Sequence, residues 1–156
     1  PDKGTRTCPV CKYGRYHGIV FFVGNNPNWN EIKEWLTFLE QESIKRKKYL
    51  KAYFVYGNEK KYSKSNRQIE LEQLGLELNL KNTALTFVPS LSDTESEVHL
   101  NKINPEVENT IIIYRYRNII GKFINLKPSR ANQNKVSNML DKTINEYFKL
   151  PAPKHN

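Results

Sequence analysis

Cys8-Pro9-Val10-Cys11-Lys12-Tyr13-Gly14-Arg15-Tyr16-His17-Gly18-Ile19-Val20-Phe21-Phe22-Val23-Gly24 contains both cysteines of the chain and the best candidate for a buried strand. Ile19 to Val23 is a continuous run of β-branched and aromatic residues bracketed by glycines. That pattern marks a strand covered on both faces rather than one with a wet side. The strand and the C-x-x-C ahead of it set the fold and the chemistry together.

Two cysteines separated by two residues can close a small disulfide, share a metal or carry a thioether-linked haem. Haem attachment calls for C-x-x-C-H, and Lys12 stands at the histidine position. Zinc needs four N, S or O ligands, and beyond Cys8 and Cys11 the soft donors are His17, His99 and His155, so this motif is half a zinc site. We therefore expect no metal and no cofactor. Redox exchange needs a thiolate stabilised by positive charge, which Lys12 and Arg15 supply. A structural disulfide, or a pair of idle thiols, is the alternative.

Downstream, Asn25-Asn26-Pro27-Asn28-Trp29 reads as a helix start with Asn26 as cap and Pro27 at the first helical position. Trp29, Ile32, Leu36, Leu39 and Ser43, widened by Trp35 and Phe38, then form a stripe that predicts a core-facing helix to about Lys47. Leu50–Tyr56 is the next strand. Ser65 or Asn66 caps a second helix carrying Ile69, Leu71 and Leu74. Ala84–Val88 is a short third strand, and Ser92 with Glu95 gives a capping box for a short helix that Pro105 limits. Thr110–Tyr116 is a second apolar strand, and Gly121–Leu126 its antiparallel partner after a turn near Asn118. A final helix over Asn132–Phe148 presents Val136, Leu140, Ile144 and Phe148 before the stop at Pro151.

A length of 156 residues suits one domain with a real core, and 38% hydrophobic content argues against disorder. No run of about 18 apolar residues exists, so nothing in the sequence reads as a transmembrane helix. The chain begins at Pro1, which leaves room for a removed leader or upstream domain, and the cysteine pair suits an oxidising compartment. Net charge is +9, concentrated in Lys45-Arg46-Lys47-Lys48 with Lys51 and in Lys60, Lys61 and Lys64. Tyr49, Tyr53, Tyr56 and Tyr62 interleave with these, as in nucleic-acid binders. No recognisable RNA- or DNA-binding motif accompanies the charge, so the expected role is a solvated surface and helix-end compensation, not a nucleic-acid partner.

The order strand, helix, strand, helix, strand, short helix, hairpin, helix predicts a right-handed β-α-β crossover and a late antiparallel pair in one mixed sheet. On this pattern the chain resembles the thioredoxin-like superfamily from about Gly18 to Phe148. Asn109-Thr110-Ile111-Ile112-Ile113-Tyr114 and Gly121-Lys122-Phe123-Ile124 are similar to the family's late strand, Gly-Lys turn and edge strand. The resemblance implies an α/β three-layer sandwich, a central mixed sheet with helices on both faces, over residues 18–150. It follows an N-terminal segment, residues 1–17, that carries the C-x-x-C, and precedes a polar tail, residues 151–156. It further implies a substrate groove at Asn109 and Thr110, Asn109 standing where the family has a cis-proline. The family's own C-x-x-C position, after the first core strand at the start of the next helix, is filled by Gly24–Trp29. A short peroxiredoxin-like string, Pro1, Thr5 and Cys8, reads as coincidence.

The resemblance is strongest to redoxin-like domains of bacterial envelope or secreted proteins with C-x-x-C just ahead of the first core strand. The expected activity is thiol-disulfide exchange with protein thiols or disulfides, Cys8 attacking and Cys11 resolving, Lys12 and Arg15 favouring the thiolate and His17 moving a proton. The expected location is outside the cytoplasm. The alternative is a non-catalytic thioredoxin-like module that binds protein or peptide, its cysteines structural.

Overall fold

The computed structural model describes residues 17–47, 50–115 and 118–147. It divides into two compact units, one ending at Leu126 and one beginning at Lys127. The first is α/β. It holds strands β1 (His17–Val23), β2 (Leu50–Tyr56), β3 (Thr83–Phe87), β4 (Thr110–Arg115) and β5 (Asn118–Ile124), with helices α1 (Trp29–Lys45) and α2 (Lys64–Leu78). The second contains helix α3 (Arg130–Tyr147).

The strands form one mixed sheet in the order β3-β2-β1-β4-β5. β1, β2 and β3 run parallel, whereas β4 is antiparallel to β1 and to β5. β1 therefore has a strand on each side, and all seven of its residues are buried. This is the physical reason its sequence runs apolar without alternation.

Side chains alternate between the two faces of the sheet. Phe21 and Phe54 meet on one face, 5.5 Å between ring centroids, and Phe21 also meets Trp35 of α1. Leu85 pairs with Phe54 and packs against Gly75 of α2, so both helices of this unit cover that face. The opposite face gathers Val20, Phe22, Tyr53, Val55, Ile112 and Tyr114 against Val88, Leu91, Val98 and Ile103. Its cover is coil with one 3-10 turn, Val98–Asn101, instead of the expected helix. Here the capping box does not form: the Ser96 amide donates to Asp93 Oδ2 and the Ser92 amide to Ser90 Oγ.

The helix starts also differ from the sequence reading. α1 is capped by Asn28, whose Oδ1 accepts from the Glu31 amide, so Asn26 and Pro27 lie outside the helix. α2 is capped by Ser63, ahead of the expected Ser65 or Asn66, and ends on Asn79 in the left-handed region. In the second unit Ser129 Oγ accepts from the Asn132 amide at the start of α3, and Val136 and Leu140 are the buried pair at helical spacing.

Gly18 and Gly24, the brackets of β1, are required by close approach. A Cβ on Gly18 would overlap the Tyr114 ring, and one on Gly24 would sit 2.5 Å from the Pro105 carbonyl oxygen. β5 is an edge strand with a register irregularity opposite Ile113/Tyr114.

Candidate functional site

In sheets with parallel strands, ligands bind outside the carboxyl ends of those strands, where loops converge and helices begin. At that end β1 runs into Gly24–Asn28, β2 into Gly57–Ser63, and residues 104–109 lead into β4. The three loops are joined through Asn25. Its amide nitrogen donates to Glu106 Oε2 at 2.8 Å and Glu59 Oε2 at 3.3 Å, its Oδ1 accepts from the Glu59 amide at 3.0 Å, and its own amide donates to the Pro105 carbonyl at 2.8 Å. Asn26 adds Nδ2 bonds to the carbonyl and Oε1 of Glu106 and accepts weakly from Lys60 Nζ at 3.4 Å.

Beside this junction lies an open cleft of about 550 Å³ lined by Asn25, Asn26, Pro27, Asn28, Trp29, Asn30 and Glu108. Trp29 begins α1 with its ring edge on Tyr56, 5.3 Å between centroids at 73°. Tyr56 is fixed in turn by stacking on Phe54, by the Arg67 guanidinium 5.1 Å from its ring centre, and by a 3.0 Å bond from Asn58 Nδ2 to its hydroxyl. Arg67 also donates to the carbonyls of Asn58 and Lys60, which holds the β2–α2 loop. The aromatic wall is thus rigid from behind, and Trp29 is a cleft residue, not part of the α1 core stripe.

Asn109 and Thr110, the expected groove residues, are at the same end and buried. The Asn109 side chain bridges the backbone of Leu126, Oδ1 accepting from its amide and Nδ2 donating to its carbonyl, and Trp35 Nε1 takes the same carbonyl at 2.9 Å. Asn109 therefore acts as a clamp, and its neighbour Glu108 is the residue that lines the cleft.

His17 lies at the other end of β1, roughly 20 Å away by strand rise. It is fully buried, facing Leu50 and Arg115 across the sheet. Burial, with the Arg46 and Arg115 guanidiniums, pushes its imidazole down to about 4 from an ordinary 6.5, so it is neutral at pH 7. Cys8, Cys11, Lys12 and Arg15 lie outside the described residues, as do the proposed tail, His155 and Tyr49. His99 is in the 3-10 turn, away from His17, and among the described residues no three His, Cys, Asp or Glu side chains group as a metal site requires. No helix among them is long and apolar enough to cross a membrane.

The two basic clusters are set apart. Lys45 and Lys51 lie at the amino end of β2, and Lys60, Lys61 and Lys64 at its carboxyl end. Tyr53 and Tyr56 between them are buried in the sheet, unavailable for stacking on bases.

Comparison of the chain with protein-family models and with curated proteins finds no match. The reading of the site therefore rests on its own geometry. The sequence reading treats Asn25–Trp29 as a helix start and not as a site, and it does not single out Asn30, Glu59, Glu106 or Glu108. Their signal was a polar, asparagine-dense stretch directly after a strand with a parallel neighbour, where side-chain identity matters more than cap propensity.

Proposed function

We propose that this chain is a thioredoxin-like module that binds a protein segment in the Asn25–Asn30 cleft without covalent chemistry there. The observation that carries the reading is the β1–α1 turn. Thioredoxin-like redox enzymes hold their cysteines at that turn, and here amides, carboxylates and one tryptophan stand in their place. The β-α-β run followed by an antiparallel pair and a helix, all strands in one mixed sheet, supports the family assignment. The decisive experiment is binding of a partner or peptide to the intact protein and to the Cys8→Ser/Cys11→Ser double variant. Retained binding supports the module, and loss of binding without loss of folding overturns it.

A second reading keeps the thiol chemistry. The Cys8 thiolate attacks a partner disulfide, forming a Cys8–partner bond and releasing one partner thiolate. Cys11 then attacks the Cys8 sulfur, closing Cys8–Cys11 and releasing the second thiolate. The C-x-x-C with Lys12 and Arg15 beside it in sequence favours this, and on this reading the setting is extracytoplasmic and the partners are protein thiols or disulfides. The reduction potential of the pair separates the readings: a reversible couple between about −120 and −270 mV fits a catalyst, and one below about −300 mV fits a structural disulfide.

A further inference from the structure

We infer that residues 90–104 form a strained strap that lifts off the second face of the sheet while the strands stay paired, gating the apolar surface beneath it. Its opening does not depend on what the cleft takes. The hydrogen bonds of the segment turn inward on itself. Among the described residues, the amides of Asp93, Glu97, Leu100 and Lys102 donate to the carbonyls of Ser90, Thr94, Glu97 and His99 at 3.1–3.2 Å, and the His99 amide reaches the Asp93 carbonyl at 3.3 Å. Side chains continue the pattern: the Ser96 amide donates to Asp93 Oδ2, the Val98 amide to Ser96 Oγ, and Asn101 Nδ2 to the Val98 carbonyl. Backbone bonds to the rest of the unit stand just outside the segment, from the Val88 amide to the Tyr56 carbonyl at 2.9 Å and from the Asn25 amide to the Pro105 carbonyl at 2.8 Å. The strap can therefore leave as one piece, its two ends held, with none of these bonds and no rung of the ladder broken.

Apolar side chains hold it down. Leu91, Val98 and Ile103 are buried in one cluster with Val20, Phe22 and Tyr114. Leu91 packs on Gly57 beside the held end, so Val98 and Ile103 are the anchors that move. The backbone opposes them. Glu97 at φ 64° and Lys102 at φ 53° flank the turn Val98–Asn101 in the left-handed region, and both side chains are exposed. That conformation strains an L-residue other than glycine, asparagine or aspartate, and the strain is relieved once the anchors lift. Few anchors, internal hydrogen bonds and two strained links place this segment at the low end of local stability, below the strands it covers. Leu100, within the turn, is already 54% exposed.

Hydrogen exchange of the full chain at low urea concentrations tests this. The amides of Glu97, Leu100 and Lys102 should exchange together, with a urea dependence above zero and below that of the Phe21 and Ile112 amides in the sheet. Ile32→Val, in α1 on the other face, should speed the sheet amides about 3- to 10-fold and leave the strap amides unchanged, because Ile32 stays packed when the strap is open. Val98→Ala should speed both sets by the same factor, about 10- to 30-fold, because Val98 is uncovered in the open and the unfolded states alike. Glu97→Asn with Lys102→Asn should slow the strap amides about 3- to 10-fold, since asparagine tolerates the left-handed region. Strap amides that follow the sheet in Ile32→Val, or that are indifferent to Val98→Ala, overturn the inference. So does exchange without urea dependence, which uncovers no apolar face, or an unchanged or faster rate in the double asparagine variant.

Discussion

Both ends of the sheet bury polar residues, but at the carboxyl end the buried ones continue into exposed partners around a cleft. At the amino end they are sealed in. His17 is fully buried, Glu42 is buried with bonds from Arg46 Nε at 3.0 Å and Lys45 Nζ at 3.1 Å, and Glu40 accepts from the Lys81 and Asn82 amides, Asn82 Nδ2 and Thr83 Oγ1, all at 3.0 Å. At the carboxyl end Asn25, Asn58, Arg67, Asn109 and Thr110 are buried too, but Asn26, Asn30, Glu59 and Glu106 are exposed around an open cleft. Buried polar groups are costly when any partner is lost, whereas exposed ones exchange with water at little cost. Loss of a partner should thus cost most at the buried groups and least at the exposed rim of the cleft.

Acid should break this contrast most strongly. The folded His17 imidazole titrates near 4 and the unfolded one near 6.5. Both are neutral above pH 6.5, so the full stability is present there, and it falls as pH drops from 6.5 toward 4 while only the unfolded chain gains the proton. The expected loss is about 3 kcal/mol, measured by urea unfolding across that range, and a His17→Phe variant that folds should lose this pH slope. The Glu40 carboxyl adds a lower step. Burial pushes it up, but the hydrogen bonds from Lys81, Asn82 and Thr83 outweigh burial and hold it below the usual 4.5. Its contribution is present above that value and is lost as pH falls through the lower folded value.

Substitutions sharpen the comparison in decreasing steps. Gly18→Ala, which forces a methyl into the Tyr114 ring, should cost about 2 kcal/mol in urea unfolding. Glu40→Gln should cost roughly 1–2 kcal/mol and flatten the acid step below 4.5, since an amide cannot accept all the donors that converge there. Asn26→Ala, at the exposed end, should stay within about 0.5 kcal/mol of the parent. A cost at Asn26 equal to that at Glu40 would show that the two ends do not differ in kind.

The apolar core is legible in the sequence, and the polar junctions at the two ends of the sheet are not. β1 and β2 are recognisable from Ile19–Val23 and Leu50–Tyr56 because apolar runs between glycines or charges report burial directly. The helix stripe of Ile32, Trp35, Leu36 and Leu39 is legible for the same reason. Asn28 is not distinguishable from Asn26 as the cap by sequence, because Asn25, Asn26 and Asn28 have equal capping propensity and only the loops around them decide which one faces the helix. Glu59 and Glu106 stand 34 and 81 residues from Asn25, a partnership no local pattern encodes. The coil over the second sheet face carries a helix signal, Ser92 and Glu95 at capping-box spacing, whereas the backbone turns through Glu97 and Lys102 in the left-handed region.

Because one asparagine ties three loops that leave three different strands, none of them can open alone. Their amide protons at Asn25, Gly57 and Glu59, bonded to Pro105, Val23 and Asn25 respectively, should exchange with deuterium through one shared opening event, with matching protection. A ligand that grips any one loop would then slow exchange in all three.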